Sequence, residues 1–258
     1  MIRLVATDLD GTLLRSDGSF SDRTLAALAR VQDAGITVVF VSARSPRTVP
    51  LDADRAGVRG YTICGNGAIT YDLSERRIIT HRPLAPDVAA RVVTALRAAA
   101  PGVAFGCELE LEFGHEPAYV RAKPDHPAEV LDALELVRRP VTKLVAQHGT
   151  LPLADLFTLA TGAAGDDVVV TISGTQFVEV TAGGVTKAAA VEVLAERLEI
   201  VRDEVIAFGD NLNDIPLLTW AGRGVAVANA QPEVLDAADE VTLSNDEDGV
   251  AVVLESLL

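Results

Sequence analysis

Leu4-Val5-Ala6-Thr7-Asp8-Leu9-Asp10-Gly11-Thr12 is the stretch whose reading decides the fold. Leu4–Thr7 is short and apolar, the mark of a strand covered on both faces, and Asp8 and Asp10 follow at once. With Leu9 anchoring the turn, both carboxylates address one opening as the chain leaves the sheet, and Gly11 permits the tight turn.

Working outward, Thr24, Leu25, Leu28 and Val31 supply a helical apolar face, and the β-branched run Ile36–Val41 reads as a second strand. The resulting β-α-β start predicts covered parallel strands. Ser45-Pro46 carries the signal for a helix start, Arg59–Ile63 a further strand, and Gly65–Gly67 a turn. Ala68–Tyr71 and Arg76–Thr80 read as a hairpin leaving the sheet.

Between about His81 and Thr181 the pattern changes to proline-punctuated short strands, with helices near Asp87–Ala99 and Leu151–Ala160. Simple alternation returns after Gly183-Gly184. Thr186 caps a helix over Lys187–Leu198, then come a strand at Val205–Phe208, a helix at Asp214–Trp220 and a strand at Gly224–Ala228. Gln231–Ala238 and Gly249–Leu257 read as closing helices. The expected organisation is a core from residues 1–80 and 183–258, interrupted by an α+β insertion over 81–182.

This order puts Asp8, Ser42 and Asp210 just beyond three apolar strands, where ligand sites of open α/β sheets form. A carboxylate is a competent nucleophile toward phosphorus once charge repulsion is relieved, a role that suits Asp8. Asp10 suits proton transfer, giving a proton to the leaving oxygen and then taking one from water. Gly209-Asp210-Asn211-Leu212-Asn213-Asp214 adds hard oxygen ligands, the chemistry that Mg²⁺ accepts. Lys187 at a helix start and the Ser42 hydroxyl can both meet an anion. Each signal has a bland alternative in a turn, a cap or a solvated surface; their combined order points to phosphate transfer.

Asp8-Leu9-Asp10-Gly11-Thr12, Ser42-Ala43-Arg44, Asn66-Gly67-Ala68, Lys187 and the Gly209–Asp214 segment together resemble the haloacid-dehalogenase-like superfamily. Within it they resemble the Cof-like phosphatases with a type-two cap. The resemblance reaches into Ala226–Ala230 and Asn245–Gly249. It implies a Rossmann-like α/β core with a mostly parallel sheet and an inserted α+β cap after the third core strand. It implies Asp8 as nucleophile, Asp10 as acid/base, and Mg²⁺ held by the Asp8 carboxylate, the Asp10 carbonyl and Asp210, with Asp214 as ligand or water-mediated partner. Ser42 and Lys187 correspond to phosphate-binding residues, with Asn213 and Arg44 in support and Asn66 and Gly67 on a substrate-side loop. Ser42-Ala43-Arg44 stands where the family more usually has Thr-Gly-Arg, and Ile215-Pro216 departs from the usual residues after the last aspartate.

Composition sets the outer bounds. The 258 residues carry 37 acidic against 22 basic side chains, a net charge of -15 that opposes nucleic acid and anionic membranes. No signal-like start and no membrane-length apolar run is present, so a cytoplasmic enzyme is expected. Cys64 and Cys107 give no disulfide framework, and His81, His115, His126 and His148 have no zinc spacing. Trp220 reads as packing, and no dinucleotide fingerprint or P-loop occurs. The expected partner is a small phosphorylated metabolite, sugar phosphates first, and Arg121, Lys123, Arg138, Arg139 and Lys143 are candidate attractors for its anion. The rival readings are a phosphomutase and a regulatory module with a long-lived phosphoaspartate.

Overall fold

The computed structural model describes residues 1–121, 127–174 and 176–258. It begins with β1 (Leu4–Thr7), α1 (Asp22–Asp33), β2 (Thr37–Val41), α2 (Val49–Arg55), β3 (Tyr61–Cys64), β4 (Ile69–Asp72) and β5 (Arg77–His81). There follow α3 (Pro86–Ala99), β6 (Ala104–Leu109), β7 (Glu112–His115), β8 (Glu129–Val130), α4 (Ala133–Leu136), β9 (Lys143–Gln147), α5 (Leu153–Ala164), β10 (Val168–Thr171) and β11 (Val178–Ala182). The chain ends with α6 (Lys187–Arg197), β12 (Val205–Gly209), α7 (Ile215–Trp220), β13 (Arg223–Ala226), α8 (Pro232–Ala237), β14 (Glu240–Val241) and α9 (Gly249–Glu255). Two compact units result, Met1–Thr80 with Thr186–Leu258, and His81–Val185.

The first unit is built on an eight-stranded sheet in the order β14-β13-β12-β1-β2-β3-β4-β5. β1 runs parallel to both neighbours, with Thr7 opposite Phe208 on β12 and Phe40 on β2. All four residues of β1 are buried, because helices cover both faces of the sheet. On α1, Thr24, Ala27, Leu28 and Val31 turn inward, and Ser21 caps the helix by accepting from the Thr24 N–H. Trp220 packs against this core and donates its ring N–H to Glu192.

Two local expectations are corrected. The segment after the Gly65–Gly67 turn stays in the sheet: β4 pairs antiparallel with β3, Ile63 opposite Thr70, and β5 forms the edge beyond it. All four β4 residues are buried, so leaving the sheet would expose Ile69 and Tyr71. The helix expected from Ser45-Pro46 starts instead at Val49, with Pro50 in its first turn. Ser45 folds back on its own loop, its Oγ accepting from the Arg47 N–H.

The second unit carries a six-stranded sheet in the order β10-β11-β9-β6-β7-β8, antiparallel except where β7 meets β8. Period-two alternation gives it one helix-covered face. Phe105, Cys107, Leu144, Ala146, Val178 and Val180 bury against α3, α4 and α5. Both cysteines are buried, Cys64 in the first unit and Cys107 in the second. Among the described residues no helix is long and apolar enough to cross a membrane.

Candidate active site

Parallel pairing in register brings the carboxyl ends of β1, β2 and β12 level, and the residues that follow share one edge of the sheet. The Asp8 N–H donates to the Phe208 carbonyl at 3.1 Å, and the Ser42 N–H to the Ile63 carbonyl at 2.9 Å. Lys187 enters from the first turn of α6, a helix that Thr186 caps by accepting from the Ala189 N–H at 3.1 Å.

The Lys187 ammonium is 2% exposed and donates to Asp8 Oδ1 at 2.6 Å and to Asp214 Oδ1 at 2.5 Å. The other oxygen of Asp214 accepts from the N–H groups of Asp210 and Asn211, at 3.2 and 3.0 Å. One fully buried carboxylate thus ties the lysine to the loop after β12. Asp210 in turn accepts from Thr12 Oγ1 at 2.6 Å. Gly11 has φ +80°, and a Cβ there would stand 2.5 Å from Asp210 Oδ2, so the close approach of these two loops requires glycine.

Asp8, Asp210 and Asp214 each offer an oxygen within 4.8 Å of the others. Three carboxylates around one ammonium leave an excess of negative charge in a desolvated place. Burial pushes Asp8 up to about 8, with Lys187 opposing and Asp214 and Asp210 adding to the shift. Burial likewise raises Asp210 to about 6, against the Thr12 hydrogen bond. Burial disfavours the charged form of Lys187, yet Asp214 and Asp8 outweigh it and hold the ammonium above its ordinary value. Hard oxygen donors with unmet negative charge fit a divalent cation such as Mg²⁺.

Asp10 stands outside this trio. Its side chain is 53% exposed and forms a two-pronged ion pair with Arg44, whose Nε donates to Oδ2 at 2.6 Å and whose Nη2 donates to Oδ1. The buried Ser42 hydroxyl accepts from the Arg44 N–H at 3.1 Å. Asn66 lies at φ 59°, a left-handed position that asparagine tolerates, and its Oδ1 accepts from Asn213 Nδ2 at 3.0 Å. A Cβ on Gly67 would fall 2.2 Å from the Thr186 carbonyl oxygen, so this turn seats the start of the lysine helix.

Sequence reasoning missed three contributors. Thr12 was visible in the opening stretch without an assigned task. Asn229 donates to the Gly11 carbonyl at 2.7 Å and accepts from the Asn245 N–H at 2.9 Å, tying two C-terminal loops to the turn after β1. Asp52 on α2 accepts from Arg44 at 2.8 Å, a contact across a turn that no short spacing signals.

The candidate anion attractors of the second unit have internal partners. Lys143 pairs with Glu179, Arg138 with Glu135, Arg139 with Glu112 and Glu129, and Arg121 lies over the Phe113 ring. Lys123 and His126 lie outside the described residues. Among the described histidines, His81 meets Thr142 and Glu110, His115 the Glu116 carbonyl and His148 the Pro101 carbonyl.

Residues 5–254 match the family model described as haloacid dehalogenase-like hydrolase, and the chain belongs to that family. It is 29% identical over 264 residues to the 5-amino-6-(5-phospho-D-ribitylamino)uracil phosphatase of Bacillus subtilis, covering 97% of this chain and 93% of that protein. It is 28% identical over 238 residues to an HMP-PP phosphatase of an Enterobacter species, covering 91% and 87%. A haloacid dehalogenase-like hydrolase from Bacteroides thetaiotaomicron superposes with a TM-score of 0.83 at 29% identity over the whole of both chains. The protein is a hydrolase of the Cof-like phosphatase group with an acidic cluster able to hold a divalent metal.

Proposed function

We propose that the chain hydrolyses a small phosphomonoester through an aspartyl-phosphate on Asp8, with Mg²⁺ as cofactor. The observation that carries this reading is the meeting of Asp8, Asp214 and Lys187, with Asp210 beside them, at the ends of β1 and β12. The carboxylates of Asp8, Asp210 and Asp214 and the Asp10 carbonyl would hold the metal. When bound, it supplies positive charge against the combined anions of substrate and enzyme.

Asp8 has one oxygen fixed by Lys187, which leaves the other to attack phosphorus in line with the departing ester oxygen. Asp10 gives that oxygen a proton, then takes one from the water that opens the aspartyl-phosphate. The Ser42 hydroxyl, having accepted from the Arg44 N–H, keeps its own proton for a phosphoryl oxygen. Lys187 and the Asn213 amide serve the same group, and Arg44 aligns Asp10. Choice of the organic part falls to the inserted unit, and sugar phosphates come first. The relative whose name carries a phospho-D-ribityl group supports a polyol-bearing phosphate.

The test is a panel of small phosphomonoesters with magnesium, following phosphate release and product identity for the protein and for Asp8→Asn. Turnover should vanish in Asp8→Asn. Robust turnover in that variant would sink the nucleophile, and isomerised product with little free phosphate would favour the mutase.

A further inference from the structure

Asp10 needs a fixed direction to exchange a proton with water, yet its side chain is half exposed on a loop. Arg44 supplies the direction. A guanidinium whose Nε and Nη2 engage both oxygens of a carboxylate sets its distance and its plane together. The backbone of Arg44 is itself pinned, its N–H donating to Ser42 Oγ at 3.1 Å and its carbonyl accepting from the Gly65 N–H at 2.9 Å. What remains free is rotation of the long side chain.

Asp52 removes that freedom. It lies in the first turn of α2 with its carboxylate 9% exposed, and its Oδ2 accepts from Arg44 Nη1 at 2.8 Å. Its Oδ1 accepts from Arg55, one turn further along the same helix, at 2.9 Å. Nη1 is thereby taken, and the Nε–Nη2 edge is the one presented to Asp10. A helix thus holds Asp52, Asp52 holds Arg44, and Arg44 holds the acid/base.

From this geometry we infer that Asp52 is a positioning residue for Asp10, acting through Arg44, including in the hydrolysis of the aspartyl-phosphate. The inference rests on the phosphatase reading above. In that step a water oxygen bonds to phosphorus as the bond from phosphorus to the Asp8 oxygen breaks. The electron pair of the broken bond returns to the Asp8 carboxylate, the water's proton passes to Asp10, and inorganic phosphate leaves. An ester whose leaving oxygen departs without a proton needs Asp10 only in this step, so the arrangement can be read there alone.

p-Nitrophenyl phosphate separates the two half-reactions, because p-nitrophenolate departs without a proton and its release reports attack by Asp8. With the full chain and magnesium, Asp52→Asn should lower steady-state kcat by about ten- to a hundredfold, the range expected for misplacement of a catalytic group. kcat/KM should stay within about twofold, since it reports formation of the phosphoenzyme. A burst of p-nitrophenol should precede the slow phase, and acid quenching should trap the phosphorylated protein. Arg44→Lys keeps the charge and loses the fork, so it should show the same split, and it provides the readout if Asp52→Asn does not fold. A parallel fall of kcat and kcat/KM without a burst, or no change at all, would overturn the inference. Turnover that survives Asp8→Asn would overturn the underlying phosphatase reading instead.

Discussion

Two buried lysines, one in each unit, show what separates a working site from a structural contact. Lys187 is 2% exposed and Lys143 4%, and each forms a short ion pair with a buried carboxylate. Lys143 lies on β9 and Glu179 on the neighbouring β11, opposite Val145 and so two residues away diagonally on the same sheet face, with Glu108 opposite Lys143 on β6. That arrangement is a cross-strand pairing, which any two adjacent strands can make. Lys187 instead meets carboxylates from the end of β1 and from the turn before α7, segments distant in sequence that meet at one edge of the sheet. Among the described residues, the acids around Lys187 form the one group whose oxygens converge closely enough to share a metal.

The largest effect that tests this difference is on turnover. Lys187→Met should cut kcat by about a hundred- to a thousandfold, as loss of a preorganised donor to a reacting anion does. Steady-state hydrolysis of p-nitrophenyl phosphate measures it. A loss below tenfold would make Lys187 a structural cation like Lys143 and erase the contrast.

Lys143→Met should act on stability instead. It leaves Glu179 buried without its ammonium, at a cost of about 3–5 kcal/mol by denaturant unfolding. Turnover per folded molecule should change little with p-nitrophenyl phosphate. Replacing both partners by apolar residues should recover most of the loss, because an absent pair needs no solvation. If Lys143→Met instead raised KM for one class of phosphomonoester and left stability alone, Lys143 would be a substrate contact and the comparison would break.

The two units also differ in how much of them the sequence disclosed. β1 and β12 announce themselves as apolar runs ending in acids, because a strand covered on both faces has no polar alternation to blur it. That Asp8 and Asp210 share one edge followed from strand order, since parallel strands deliver their ends together, whereas Asp214 was legible through the family resemblance. Arg44 was legible as a cation near the site, but its engagement with Asp10 and Asp52 depends on rotamers that no spacing encodes. In the inserted unit, β8 has two residues and β10 runs Val168–Thr171 at a half-buried edge, so strand order there depends on tertiary pairing. The same lack of pattern hides that its candidate attractors Arg138, Arg139 and Lys143 each pair with a nearby acid.

The smallest expected effect is a pH dependence peculiar to the lysine of the first unit and its acids. Asp8 binds its proton up to about 8 in the fold against an ordinary value of 3.8, and Asp210 up to about 6. A raised carboxylate is protonated in the folded protein while the unfolded chain has already released its proton. Its contribution to stability is therefore full below 3.8 and declines as pH rises toward the folded value. Metal-free protein should lose stability between about pH 6 and pH 8 with a slope of about 1.4 kcal/mol per pH unit for the one proton on Asp8. Magnesium should flatten that slope, since a cation takes over the charge that the proton otherwise cancels. Asp8→Asn should lose it without metal, whereas Lys143→Met, which leaves Asp8 and Asp210 in place, should keep it. A metal-free slope unchanged in Asp8→Asn would show that the trio is not where the negative charge is unmet, and the distinction between the two lysines would then rest on catalysis alone.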